Sequence, residues 1–184
     1  MCNIDGPCAP VQVIKGTLED DVLLISKAQG ADGLRGLYEV NFNGRVRLMT
    51  EEQLKNTRFE LRDGNDMLLV APDVTVGIEA DGGAGNDIMM GGKGDDRFGG
   101  GAGSDVLMGG HGRDVLWGGF DKDVDVLDAG ANEPLEQHGG MRWRPIDSIY
   151  TRDGDKVKNA GDDIVTNLDE LDREKARWDT SQKL

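Results

Sequence analysis

The sequence predicts an all-β fold: a solenoid of very short parallel strands, entered through β-rich coils and closed by a C-terminal capping helix. Three observations carry that expectation. Five tandem nonapeptides run from Gly82 to Val126. In four of them a large apolar residue follows an Asp by two places. Upstream, alternating or apolar runs flank Asn43-Gly44, a strong hairpin signal.

Four domains are expected: a flexible tail over 1–10, a β-rich part over 11–81, the solenoid over 82–127 and an irregular cap over 128–184. In the second part, Val22 to Ile25 is a short apolar run, and Leu37 to Phe42 with Arg45 to Leu48 form the hairpin arms. Thr50 starts a short helix as N-cap, with Gln53 closing a capping box and Met49 and Leu54 placed as a hydrophobic staple. Asp63 to Asp66 followed by Met67 to Val70 is a partial copy of the repeat, and Val74 to Ile78 alternates like a strand. After Leu127 the glycine period ends, and 128–166 reads as irregular with scattered apolar anchors. A helix is predicted over 167–179, capped by Asn167 and carrying Leu168, Leu171, Lys175 and Trp178 on one face, positioned to cover the open end of the solenoid.

Composition excludes several classes. Asp plus Glu number 35 against 21 Lys plus Arg, a net charge of −14, which disfavours nucleic acid and anionic membrane surfaces and suits cations. The two cysteines, Cys2 and Cys8, cannot make a disulfide scaffold. No apolar stretch approaches the ~18 residues of a membrane span. Met1 to Pro10 lacks a basic region followed by an apolar core, so no cleaved Sec signal is expected there.

The repeat reads Gly-Gly-x-Gly-x-Asp-x-U-x, with U a large apolar residue. The first loop holds Gly82, Gly83, Ala84, Gly85, Asn86 and Asp87; the second Gly91, Gly92, Lys93, Gly94, Asp95 and Asp96. The third holds Gly100, Gly101, Ala102, Gly103, Ser104 and Asp105; the fourth Gly109, Gly110, His111, Gly112, Arg113 and Asp114. The fifth, from Gly118, keeps Asp123 at position six but has Asp121 where the fourth glycine belongs. Glycine allows the tight loop, and x-U-x makes a short strand, with Met89, Phe98, Leu107 and Leu116 facing inward. Two nonapeptides complete a turn of 18 residues, so alternate loops stack on one side.

Stacked carboxylates repel unless a cation lies between them. The donors are all oxygen, which favours calcium over zinc, copper or nickel, and calcium tolerates irregular geometry better than magnesium. Positions five and six of an extended segment point opposite ways. Each ion is therefore expected between position five of one loop and position six of the next in the stack. Asn86 with Asp105 and Asp95 with Asp114 are the two strong pairs, and Ser104 with Asp123 a weaker third. Arg113 and Lys122, at position five, cannot ligate. Asp87 and Asp96 face the irregular coils, where Asp63, Asn65, Asp66, Asp73 and Asp81 are the candidate partners.

These repeats resemble the RTX, or haemolysin-type calcium-binding, family. The resemblance implies a parallel β-roll binding several Ca2+ ions. In that family the carbonyls of positions one and three accompany position five, and those of two and four accompany the Asp. It also implies bacterial export without a cleavable Sec signal, commonly by a type I route, and folding triggered by calcium outside the cell. No nucleophile or acid/base constellation stands out, so no catalytic residue, organic cofactor or nucleic-acid partner is expected. The function expected is calcium binding by a secreted, non-enzymatic protein. The alternative is a secreted effector or adhesin that uses the roll as scaffold for a binding surface in the flanks.

Overall fold

The computed structural model describes residues 11–30, 34–130, 136–138, 141–143, 148–151, 155–158 and 164–167. Two sheets face each other. In the first, β1 (Gln12–Lys15), β5 (Thr57–Asp63), β7 (Glu79–Ala84), β9 (Arg97–Ala102), β11 (Val115–Gly119), β15 (Ser148–Thr151) and β17 (Ile164–Asn167) lie side by side in that order, every pair parallel. In the second, β16 (Lys156–Lys158), β12 (Val126–Asp128), β10 (Val106–Met108), β8 (Ile88–Met90), β6 (Met67–Val70) and β2 (Val22–Lys27) are parallel. An antiparallel extension of β3 (Leu37–Phe42) and β4 (Arg45–Thr50) follows β2. The chain alternates between the sheets, so successive turns stack as a roll. A further two-stranded pair, β13 (Glu136–His138) with β14 (Met141–Trp143), is antiparallel.

The core is two facing rows of inward residues. Leu23, Leu68, Met89, Leu107, Leu127 and Val157 are register partners along one sheet. Ile14, Phe59, Ala80, Phe98, Leu116 and Ile149 are partners along the other. From Leu23 to Leu127 and from Phe59 to Ile149 these side chains are buried. Small Ala80 sits between Phe59 and Phe98, which lets two aromatic rings share one row. All four expected inward residues of the repeats, Met89, Phe98, Leu107 and Leu116, are in the core.

The hairpin turns at Asn43 (φ 50) and Gly44 (φ 77), the paired positive angles of a tight two-residue turn. The short helix α1 (Glu51–Lys55) has both halves of the capping box, and Met49 and Leu54 are buried.

Three local expectations differ from the structure. First, the strands are expected to be only x-U-x long, yet β7, β9 and β11 run on into the glycine pairs, with Gly83 paired to Gly101 and Gly101 to Gly119. Glycine opposite glycine meets no Cβ, so the ladder continues. Second, Val74 to Ile78 is not a strand. Val74, Val76 and Ile78 are buried by alternation, but the segment lies beside loop 91–96, where only isolated bonds such as Lys93 N–H to the Val74 carbonyl (2.7 Å) form. Third, 128–166 is not uniformly irregular: β15, β16 and β17 extend both sheets, because Ile149 and Val157 continue the two rows and β17 pairs in register with β15. The tail 1–10 and the helix expected after Asn167 fall outside the described residues; Asn167 itself ends β17.

Candidate metal centre

The roll carries its connections in two stacks. On one side lie loops 16–21, 61–66, 82–87, 100–105 and 118–125. On the other lie the connection 71–78 and loops 91–96 and 109–114. Within the repeats, stacked residues are 18 apart, as the pairing of Ile88 with Val106 and Arg97 with Val115 shows.

Position six forms a ladder of buried carboxylates. The Asp66 N–H donates to Asp87 Oδ1 at 2.8 Å, Asp87 N–H to Asp105 Oδ1 at 2.8 Å, and Asp105 N–H to Asp125 Oδ1 at 2.9 Å. On the other side, Asp96 N–H donates to Asp114 Oδ1 at 2.8 Å, and Ile78 N–H to Asp96 Oδ1 at 2.7 Å. Each carboxylate thus reaches back to the preceding coil. Position five reaches forward instead: Ser104 N–H donates to Asn86 Oδ1 at 2.8 Å, Arg113 N–H to Asp95 Oδ1 at 3.0 Å, and Asn86 N–H to Asn65 Oδ1 at 2.9 Å. The two positions point oppositely along the stack.

The second carboxylate oxygens define the chemistry. Asp66, Asp87 and Asp105 are all but fully buried, yet among the described residues nothing donates to their Oδ2 atoms. Burial pushes the carboxyls of Asp87 and Asp125 up to about 6 and those of Asp96 and Asp105 to about 7; neighbouring carboxylates add to the rise in each case. Main-chain oxygens converge on the same places. A Cβ on Gly82 would overlap both Asp87 Oδ2 and the Gly100 carbonyl, and one on Gly100 would overlap Asp105 Oδ2 and the Gly118 carbonyl. The glycine at position one leaves a cradle lined by a carboxylate and a carbonyl.

Among the described residues, no three His, Cys, Asp or Glu side chains form a ready metal cluster. Carbonyl oxygens must complete any ligand set, and the glycine loops present them. An all-oxygen, mostly main-chain donor set with buried, undonated carboxylate oxygens fits a hard cation of variable coordination, which is the profile of calcium.

Asn86 and Asp105 do enter one gap, as do Asp95 and Asp114. Asp95, however, already holds Arg113, whose Nη2 lies 3.4 Å from Asp95 Oδ2. For the third pair, Asp123 is exposed and outside the ladder, its N–H donating to Asp121 Oδ1 at 2.9 Å. Asp125 holds position six instead. The fifth loop is two residues longer than the others: Asp105 and Leu107 align with Asp125 and Leu127, 20 residues on. Val124, not Lys122, therefore precedes the ladder carboxylate. The same insertion lets Asp121 Oδ2 accept the Gly103 N–H at 2.7 Å.

Of the candidate partners in the coils, Asn65 meets the gap that Asp87 enters. Asp81 pairs with Arg58 at 3.0 Å on the outer face, and Asp73 lies 4.0 Å from the Lys27 ammonium. Asp96 faces Gly77 and Ile78, which offer no side-chain oxygen. Sequence reasoning missed Asp21, Asp125 and Asp155 as ladder members. One signal finds them all: an Asp two places before an inward apolar residue, as in Asp21 and Leu23, Asp125 and Leu127, and Asp155 and Val157.

Residues 80–98 and 99–132 match the family model of the RTX calcium-binding nonapeptide repeat, in four copies. No curated protein and no solved structure matches the chain. The segment 80–132 is an array of RTX repeats, and such repeats bind Ca2+.

Proposed function

We propose that this chain is a secreted, non-enzymatic protein whose fold is completed by calcium, with the ions in the gaps between stacked loops. Asn86 and Asp105 carry the first site. Asp95 and Asp114 carry the second, on the opposite side. Ser104 with Asp125 carries a third, and Asn65 with Asp87 extends the stack into the coil before the repeats. The main-chain carbonyls of the flanking glycines supply the other ligands.

The observation that carries this reading is the set of buried Oδ2 atoms without donors at Asp66, Asp87 and Asp105. A buried carboxylate charge that is not neutralised costs several kcal/mol, and the chain repeats that cost up the stack at a net charge of −14. A divalent cation in each gap removes it, so binding and folding share one free energy. Low calcium inside a cell and high calcium outside then keep the chain loose before export and folded after it.

Circular dichroism in chelator and in calcium chloride tests the coupling. The β-rich spectrum should collapse in chelator and return on adding calcium. A spectrum that stays β-rich at all calcium levels would sink the proposal.

A second reading, a calcium-stabilised scaffold for a binding surface, has one observation in its favour. The outer face of the second sheet carries Val22, Met67 and Ile88 in one register row and Leu24, Leu69 and Met90 in the next. All but Leu69 are exposed. An uncovered apolar face of this kind marks contact surfaces. Ile88→Lys should abolish capture of a partner while leaving calcium binding intact; retained capture would exclude this face.

A further inference from the structure

Loops 16–21 and 61–66 lie outside the matched repeats and lack the Gly-Gly signature, yet they stack as the repeats do. The Asp21 N–H donates to Asp66 Oδ1 at 2.7 Å, the position-six bond of the ladder. The Asn65 N–H donates to Asp20 Oδ1 at 2.7 Å, the position-five bond. A Cβ on Gly64 would lie 2.6 Å from the Glu19 carbonyl oxygen, just as one on Gly103 would overlap the Gly85 carbonyl. Asp20 therefore reaches forward, and Asp66 back, into one gap.

A second, independent feature of this gap suits a cation. Asp66 is 2% exposed, its Oδ1 serves Asp21, and its Oδ2 has no donor among the described residues. Its neighbour in the ladder is different. Asp21 accepts from the Thr17 N–H at 2.6 Å, from Thr17 Oγ1 at 3.0 Å and from Asn43 Nδ2. The protein satisfies the last carboxylate of the stack with a hydroxyl, an amide and a main-chain N–H, and leaves the next one short. Arg62, beside the gap, is turned to the Gly16 carbonyl, 3.3 Å from its Nη1.

We propose that the gap between loops 16–21 and 61–66 is a calcium-class cation site, with Asp20 and Asp66 as its carboxylate ligands. It rests on the reading that ions occupy the gaps between loops. It places the N-terminal coils under calcium control, and with them the hairpin whose Asn43 caps Asp21.

Calcium chloride titrated into the chelator-treated full chain, with the bound ions counted by calorimetry, tests it. Asp66→Asn should bind one ion fewer than the parent. Asp20→Ala should weaken the same ion at least about tenfold and leave the others unchanged, and the double variant should lose one ion, not two. Asp20 is exposed, so its variant reports on the site even where Asp66→Asn fails to fold. An Asp20→Ala titration identical to the parent overturns the site, provided that Asp105→Asn loses an ion. An Asp105→Asn protein that keeps every ion overturns the placement of ions between loops, and this site with it.

Discussion

The Asp105 N–H donates to Asp125 Oδ1 across the gap between the third and fifth loops, at 2.9 Å. This bond makes Asp125, not Asp123, the sixth-position carboxylate of the fifth loop. Asp125 is 2% exposed, whereas Asp123 is open to solvent.

Asp125→Asn should therefore remove one bound calcium. At calcium about a hundredfold above the dissociation constant, losing a site costs about 2.7 kcal/mol of stability. Asp123→Asn, at an exposed position, should stay within about 0.5 kcal/mol of the parent. Denaturant unfolding in saturating calcium compares them, and equal losses would show that Asp123 is a ligand after all.

The assignment of Asp123 shows where the sequence was legible and where it was not. The 18-residue turn could be read because glycine and Asp recur at fixed places, and Met89, Phe98, Leu107 and Leu116 then had to face inward. In the fifth loop Asp121, Asp123 and Asp125 alternate, so counting nine residues from Asp114 lands on an acid of the wrong height. The inward residue was the better ruler: Leu127 sits two places after Asp125, as Leu107 does after Asp105. Loops 16–21 and 61–66 were harder. Arg62 adopts φ 87 where the repeats use glycine, so the backbone shape recurs without its usual residue. Strands β15 to β17 were obscured because neither the glycine pair nor a regular spacing announces them; their parallel register with β11, β12 and, for β17, β15 does.

Adjacent glycines should respond oppositely to alanine. A Cβ on Gly100 would overlap Asp105 Oδ2 and lie 2.6 Å from the Gly118 carbonyl, whereas one on Gly99 would meet nothing closer than a Trp117 ring carbon at 4.0 Å. Gly100→Ala should abolish one calcium site and destabilise the loaded fold by about 3 kcal/mol or more, as overpacking beside a buried charge does. Gly99→Ala should be neutral, or stabilising by up to about 1 kcal/mol through a restricted unfolded chain. Calcium titration of the two variants, followed by thermal unfolding, checks both, and equal effects would remove the cradle from the argument.

The raised carboxyls set a pH dependence of definite sign. In the calcium-free fold, Asp87 and Asp125 titrate at about 6, and Asp96 and Asp105 at about 7, against 3.8 for an ordinary Asp. The calcium-free fold therefore holds protons that the unfolded chain has released. It loses stability as pH rises from about 4 to about 7, and the full cost is present above that. Calcium displaces those protons, so affinity should fall as pH drops through 7 to 6. Circular dichroism in chelator should show more β structure at about pH 5 than at about pH 8, and calcium should remove the difference. Equal spectra in chelator at the two pH values would mean that these carboxyls hold no protons in the calcium-free fold.

Arg113 should act as an internal competitor of the second site. Its guanidinium lies 3.4 Å from Asp95 Oδ2, and its N–H donates to Asp95 Oδ1. Both side chains are more than half exposed, so the pair contributes at most about 1 kcal/mol. A cation entering between Asp95 and Asp114 must displace it. Among the described residues no such cation stands over Asn86, whose Oδ1 accepts the Ser104 N–H. Arg113→Ala should therefore tighten calcium at the second site by about two- to fivefold, the equivalent of that energy, and leave the Asn86 site unchanged. The gain should shrink with added salt, which screens the exposed pair in the parent protein. A weaker second site in Arg113→Ala would mean instead that the arginine orders Asp95 for the ion, and its role would be that of a positioning residue.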